Sequence, residues 1–406
     1  MVEKSSISRT DEGISVKKLI ELVPQKLIDE LAEQLVVDKW VRKLKGDCFF
    51  KLILYSILSS ERLSLRIMED NFEDPLFRVL APALQVDEVT FAGIRARLMN
   101  VKSVFFKKIY EAVYKRAKQL YGGKVLEGYH IKRYDSTMIA TFSHLLEGMK
   151  VGNTKKGKTQ VKLTAEFDDD FLIRMEFYKD QAHLSEETAL KEVIEKVPNE
   201  TNSIRVFDKG LKSRETFDSF DDDDIIFVGR VSQNVRYELV RPYLPDDQEQ
   251  DNEEIDFVQD SVVRLQKSGH NNFTKKEFRL IQFHLKKEGE MIFFVTNVLD
   301  ISAATVAAIY KQRWDIEVLF RFMKQEMNLT HFVCNDLNAI QVMLYTTMIA
   351  SMLVLIFKKK NSIDSYKKAK IRFFKELLYS ILLDALDDPE QMLYLKANLR
   401  KFIQRE

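Results

Sequence analysis

The hydrophobic period of this chain changes at Gly122 and Gly123 and changes back near residue 302, and these two changes set the order of its structural parts. From Val16 to about Leu120, apolar residues recur three and four apart, as in LIELVPQKLIDELAEQLVV and FFKLILYSILSSERLSL. That spacing gathers them on one side of a helix. Pro75 and Pro82 punctuate the region, and a further amphipathic stretch carries Phe91, Ile94, Leu98, Phe105, Tyr110 and Val113 among many Arg and Lys. After the two glycines the runs become short, β-branched and aromatic: YHIKRYDSTMIATF, QVKLTAEF and FLIRMEFYK, the last two parted by the turn Asp168 to Asp170.

A helix from about Ser185 to Lys196, the strand SIRVFD, a helix near Leu211 to Phe217 and the strand IIFVGRV follow. Strands followed by alternating helix and strand predict a mixed α/β sheet. Between Asn234 and about Glu290, the acidic loop DDQEQDNEEID precedes the β-rich pieces VVRLQ and FRLIQFHLK, which predicts an inserted β subdomain. The strand MIFFVTNV then returns to the main sheet, and Ser302 or Thr305 opens one long helix through about Met327. The expected layout is a helical N-terminal domain over 1–122, core segments over 123–232 and 291–333, a β-rich insertion over 233–290 and a helical region over 334–406.

Composition narrows the classes of function. Lys and Arg number 63 against 62 Asp and Glu, a net charge of +1, so any nucleic-acid surface is a local patch rather than a property of the whole chain. Cys48 and Cys334 have no metal-ligand spacing, which excludes a zinc ribbon or a disulfide scaffold and fits a reducing cytoplasm. The polar start, Met1 to Gly13, lacks the apolar core of a secretory signal and reads as a loose leader. Leu337 to Phe357 carries no charge and is followed by three lysines, yet it contains Asn338, Gln341, Thr346, Thr347 and Ser351. We therefore expect a buried helix there and no membrane partner.

The stretch IYKQRWDIEVLFRFMKQEMNL holds the densest chemical signal, with Arg313, Glu317 and Lys324 three, seven and fourteen residues after Tyr310. On a continuous helix at about 100° per residue, the four side chains fall within an arc of about 60°. Ile309, Ile316, Leu319, Phe320 and Met323 supply the adjoining apolar face. A carboxylate between two cations and a phenol suits a metal ligand beside a phosphate backbone, because Arg can grip phosphate with two donors. An exposed face with an ordinary Arg313 to Glu317 ion pair is the bland alternative.

Two aspartates shift that balance. Asp135 sits in the middle of the strand KRYDSTMIATF, where Asp is disfavoured unless partnered. Asp208 ends the apolar strand SIRVFD, a strand terminus where open α/β sheets place functional groups. Carboxylates from two strands and a helix would form an oxygen-rich site for hard cations such as Mg²⁺, and two such ions about 4 Å apart drive phosphoryl transfer.

With these residues in view, the chain resembles the DDE transposases of bacterial insertion sequences, in the subgroup with a Tyr, Arg, Glu, Lys signature. Tyr310, Arg313, Glu317 and Lys324 match that signature in spacing, Asp135 stands in a DST context and Asp208 in a DKG context. The resemblance covers roughly Gly128 to Lys324; the flanking parts share only helical character. It implies a ribonuclease-H-like core in which Asp135, Asp208 and Glu317 bind two Mg²⁺ or Mn²⁺ ions, with Tyr310, Arg313 and Lys324 on the transposon end. It also implies double-stranded DNA ends and target DNA as substrates, a homodimer on paired ends, water as first nucleophile and the freed 3′-hydroxyl as the second. A structure-specific nuclease without strand transfer and a catalytically inactive DNA-binding relative are the competing expectations on the same core; a metal-independent glycosidase is a third.

Other signals are weaker. Asp221 to Asp224 reads as a solvated turn, since four consecutive carboxylates cannot face one site. The histidines lack zinc spacing, and His183 reads as a helix-leading or packing residue. Lys155, Lys156 and Lys158 form a glycine-bearing basic loop that suits phosphate contact or plain solvation. Gly152 to Thr159 satisfies the bare P-loop pattern, but it precedes a strand where a P-loop needs a helix. Some relatives stack a tryptophan of the insertion on a flipped base; here Phe273, Phe278, Phe283 or Tyr237 would take that role, or there is no hairpin step.

Overall fold

The computed structural model describes residues 13–82, 88–122, 125–126, 128–142, 149–151, 158–168, 171–196, 202–243, 254–267, 272–329, 332–334 and 336–403. The leader to residue 12, the basic loop 152–157 and most of the acidic loop, 246–253, lie outside these residues. The chain divides into two compact units: residues 1–121 with 321–406, and residues 122–320.

The first unit opens with seven helices, α1 (Val16–Ile20), α2 (Gln25–Gln34), α3 (Gly46–Ser59), α4 (Leu65–Glu73), α5 (Pro75–Leu80), α6 (Phe91–Asn100) and α7 (Ser103–Tyr121). Their starts follow from the sequence: Ser64, Asp74 and Thr90 accept backbone N–H groups of Ile67, Leu76 and Gly93, which would otherwise lack helical partners. Pro75 at the first turn of α5 gives up no hydrogen bond. Phe49, Phe50, Phe105 and Phe106 of α3 and α7 pack edge-on and tilted in the core.

The second unit is built on one sheet of eleven strands. They are β1 (Val125–Leu126), β2 (Tyr129–Phe142), β3 (Met149–Val151), β4 (Lys158–Asp168), β5 (Phe171–Tyr178), β6 (Ser203–Phe207), β7 (Phe227–Val231), β8 (Tyr237–Pro242), β9 (Ile255–Leu265), β10 (Phe278–Leu285) and β11 (Glu290–Thr296). The order is β3-β4-β2-β6-β7-β11-β10-β9-β8, with β1 on β2 and β5 on β4. Among the described strands only β2–β6 and β6–β7 pair in parallel, so the sheet is mixed, as the periodicity predicts. The crossovers to those two parallel strands contain α8 (Glu186–Lys196) and α9 (Arg214–Asp222).

Strand alternation sorts residues between the faces. Tyr134 and Phe207 pack with α8 and α9, whereas Ile131, Ile204, Val206 and Val228 pack with Val306, Ile309 and Tyr310 of α10 (Ala303–Lys311). Asp135 shares parity with Ile131, and Asp208 with Ile204 and Val206, so both aspartates belong to the α10 side.

Several sequence expectations change here. The stretch after MIFFVTNV is two helices: α10 ends at Lys311 and α11 (Trp314–Glu326) begins three residues later. At the joint, Arg313, Asp315 and Ile316 donate backbone N–H groups to residues three positions back, which tightens the turn and interrupts the continuous stripe. The second helix of the core starts at Arg214 rather than Leu211. The strands read as an inserted β subdomain extend the sheet, β10 pairing with β11 along seven residues. Asp221 and Asp222 are not simply solvated, because both pair with Lys276 at 3.3 and 3.0 Å. A buried ion pair, Arg279 Nε to Asp260 Oδ2 at 2.8 Å, ties β10 to β9.

The chain closes, within the first unit, with α12 (Leu337–Lys360), α13 (Tyr366–Asp387) and α14 (Pro389–Ile403). Among the described residues α12 is the one helix long and apolar enough to cross a membrane, and 94% of its most apolar window is buried inside the fold. Its polar groups find partners: Thr346 donates to the Val342 carbonyl at 3.0 Å and Asn338 to that of Val101 at 2.6 Å.

Candidate active site

Asp135 lies where β2 runs past the end of β6. The parallel register pairs Arg133 with Val206; continued by two residues, it sets Asp135 level with Asp208. Adjacent strands lie about 4.8 Å apart, so one register and one shared face bring the two carboxylates to the same end of the sheet. Asp135 Oδ1 accepts the Ser136 N–H at 2.8 Å, and Ala165 stands opposite on β4.

Asp208, immediately after β6, accepts the Tyr310 hydroxyl on Oδ1 at 2.8 Å. Its Oδ2 lies 3.6 Å from Arg313 Nη2, and the same nitrogen donates to Glu317 Oε1 at 2.6 Å. Arg313 is only 5% exposed, which makes it a buried cation shared by carboxylates from a strand end and a helix. The Tyr310 ring is held by Phe294 at a centroid distance of 4.6 Å. Thus Tyr310 and Arg313 meet Asp208 despite the helix break, and Glu317 joins them through Arg313. Lys324 lies two turns after Glu317 on α11, in the part of that helix assigned to the other unit.

Environment drives the two aspartates apart in acidity. Burial pushes the Asp135 carboxyl up to about 6, against the opposing pull of Arg313 and the Ser136 N–H, while Glu186 and Glu317 push it further up. Burial also raises Asp208, but Arg313, the Tyr310 hydroxyl, the Lys209 N–H and Arg230 outweigh it, so its carboxyl stays below the usual range. Burial pushes the Tyr310 phenol up to about 12, and its bond to charged Asp208 adds to that. Arg313 is held more firmly protonated than usual: burial opposes this, and Tyr310, Asp208, Glu317 and Asp135 overcome it.

Among the described residues no three Asp, Glu, His or Cys side chains stand close enough to enclose a metal ion. Arg313 stands between Asp208 and Glu317 and offsets part of their charge. The donor set, carboxylate oxygens without sulfur or imidazole, nevertheless fits a hard divalent cation in its chemistry.

Residues 131–353 match the family model described as the transposase DDE domain. The chain belongs to that family. Among curated proteins with transposase names, the putative transposase y4zB of Sinorhizobium fredii (strain NBRC 101917 / NGR234) is 31% identical over 165 residues, 40% of this chain and 45% of that protein. A Synechocystis protein named as a transposase for insertion sequence element IS4SA is 26% identical over 130 residues, 29% of this chain and 38% of that protein. The matches therefore span less than half the length of either relative. A cryo-EM structure of the piggyBac transposase synaptic complex with hairpin DNA has a TM-score of 0.48 and 14% identity over 97% of this chain and 87% of that one, a likeness too weak to bear on the site.

Within this transposase DDE domain, the segment Asp135 to Glu317 lies wholly inside the matched residues. The structure adds neighbours that sequence reading passed over. Arg133, on the face of Asp135, reaches the α10–α11 joint. Glu186, in the first turn of α8, rests so close to Gly210 that a Cβ there would stand 2.7 Å from its carboxyl carbon. The signal for Arg133 is a charged residue inside a strand, two positions from Asp135; for Glu186 there is none beyond a helix-opening acid. The candidate aromatics of the insertion divide: Phe278 and Phe283 are buried in the two faces of the sheet and closed to a base, whereas Phe273 and Tyr237 are half-buried. His183 stacks on Tyr178 at 4.1 Å and meets Glu192 at 2.6 Å, a packing role. A cavity of about 590 Å³ beside the β6–α9 turn is lined by Lys212, Arg214, Arg236 and Lys267 and by none of the three carboxylates.

Proposed function

We propose that this chain is a transposase with a ribonuclease-H-like core, cutting DNA at the ends of an insertion sequence and joining those ends to target DNA. The observation that carries this is the single guanidinium of Arg313 shared by Asp208 and Glu317, with Asp135 level with Asp208 on the neighbouring strand. Asp135, Asp208 and Glu317 would hold two Mg²⁺ or Mn²⁺ ions. When bound, such ions lower the pKa of water or a hydroxyl and stabilise the leaving oxygen of an in-line displacement.

The chain's own residues supply the rest. Tyr310 fixes Asp208 by hydrogen bonding, so that carboxylate is ionised and aimed before substrate arrives. Arg313 offsets part of the carboxylates' charge in the free protein and can exchange them for a DNA phosphate, for which its fork of donors is suited. Lys324, two turns along the same helix, adds a point charge for the backbone of the element end. The helical N-terminal region would bind the element end, and the C-terminal helices would pair two copies on two ends.

The test is a DNA fragment carrying the inverted repeats that flank the gene, incubated with the protein and Mg²⁺ or Mn²⁺. Cleavage at the ends followed by strand transfer is expected, and chelation should stop both. Asp135→Ala, Asp208→Ala and Glu317→Ala should each abolish cleavage with the circular dichroism spectrum unchanged. Cleavage without joining would make the protein a nuclease, and retained cleavage in any of the three variants would remove the carboxylate assignment.

A further inference from the structure

Arg133 stands two residues before Asp135 on β2 and, by alternation, on the same face. Its side chain is 3% exposed. Nη1 donates to the Gln312 carbonyl at 2.5 Å and lies 3.9 Å from the Asp315 carboxylate. Gln312 and Arg313 are the two residues between α10 and α11. Their hydrogen bonding differs from that of a running helix: the Gln312 carbonyl receives the Asp315 N–H at 3.2 Å, three residues on, and the Arg133 guanidinium as its second donor. The interruption of the helix and the grip of Arg133 fall on one carbonyl.

That carbonyl is the point from which the site's second half hangs. Tyr310 precedes it by two residues, Arg313 follows it, and Glu317 lies in the first turn of α11. We propose that Arg133 is a positioning residue, which holds the α10–α11 joint in register with the strand carrying Asp135 so that Arg313 and Glu317 reach the aspartates. The inference rests on the reading that Asp135, Asp208 and Glu317 work together on divalent cations.

The chemistry explains why arginine stands there. The Gln312 carbonyl already takes the Asp315 N–H, and a second donor that reaches it from β2 while also pairing with the Asp315 carboxylate has to be long, forked and charged. A core arginine that merely satisfied its own charge could bond any carbonyl of the sheet; this one bonds the C-cap residue of α10, two positions before the helix carrying Glu317 begins.

Equilibrium Mn²⁺ binding to the full chain tests this, with circular dichroism as the measure of folding. Arg133→Met keeps the bulk and removes the donors; it should remain folded and bind Mn²⁺ at least about tenfold more weakly than the unaltered chain. Arg133→Lys restores a charged donor and should recover part of the loss. Asp135→Ala and Glu317→Ala are the controls, expected to abolish tight Mn²⁺ binding. Unchanged Mn²⁺ affinity in Arg133→Met, with both controls impaired, would overturn the positioning role alone. So would failure of Arg133→Met to fold, which would make Arg133 a general core residue. Unchanged affinity in the controls would overturn the carboxylate reading and this inference with it.

Discussion

Arg313 donates to Glu317 across one helical turn at 2.6 Å while standing 3.6 Å from Asp208, a residue 105 positions earlier in the chain. An i,i+4 ion pair on an open helix contributes a few tenths of a kcal/mol. Here the cation is buried and shared with a second carboxylate from the sheet, so the pair is part of a small charge cluster rather than a surface ornament.

Because Arg313 offsets part of the charge of the carboxylates that would hold cations, it competes with those cations. Arg313→Ala should bind Mn²⁺ at least about tenfold more tightly than the unaltered chain when DNA is absent, since a like charge has been removed from the site. The same variant should lose affinity for the element end. Isothermal titration with Mn²⁺ and fluorescence anisotropy with labelled DNA measure the two effects, and weaker Mn²⁺ binding would refute the competition.

Asp135 gives the site a pH dependence whose sign can be worked out. Its carboxyl lies near 6 in the folded chain and at 3.8 in the reference state, so the folded form binds the proton more tightly. Stability contributed by this group is therefore greatest below pH 4 and falls as pH rises from about 4 to about 6. Cation binding requires the ionised form, so Mn²⁺ affinity should fall about tenfold per unit below pH 6. Thermal melts of the metal-free chain show the first effect: Asp135→Asn should remove that slope, and an unchanged slope would place the titration elsewhere.

The β-rich strands depend on one buried pair. Arg279 has no exposed surface, pairs with Asp260 and stacks over Tyr243 at 3.8 Å. Arg279→Ala would strand the Asp260 charge in the sheet and should cost about 3–5 kcal/mol, measured by urea denaturation. A loss below about 1 kcal/mol would mean that water reaches Asp260.

Much of this arrangement is legible in the sequence, and the reasons are local. Alternation in KRYDSTMIATF and SIRVFD gives both strands and places the two aspartates on one face, because a period of two is decided by neighbouring residues. The single helical stripe expected for Tyr310, Arg313 and Glu317 is instead divided between α10, the joint and α11. The break between α10 and α11 is not legible: no Pro or Gly marks it, and the Arg133 side chain that bonds the Gln312 carbonyl there stands some 180 residues away along the chain. Likewise β8 to β10 read as an insertion, and what carries them into the main sheet is the long-range pairing of β11, the hairpin partner of β10, with β7, Phe293 opposite Val231. Phe278 and Phe283 look like free aromatics in sequence and are core residues in the fold.

Mn²⁺ binding to isosteric variants decides whether the three carboxylates serve as one cation site. Asp135→Asn, Asp208→Asn and Glu317→Gln should each weaken binding by at least about tenfold, and combining all three should weaken it little further, since residues that share a ligand are not additive. Wild-type affinity in any one variant, or three small losses that simply add, would contradict the account.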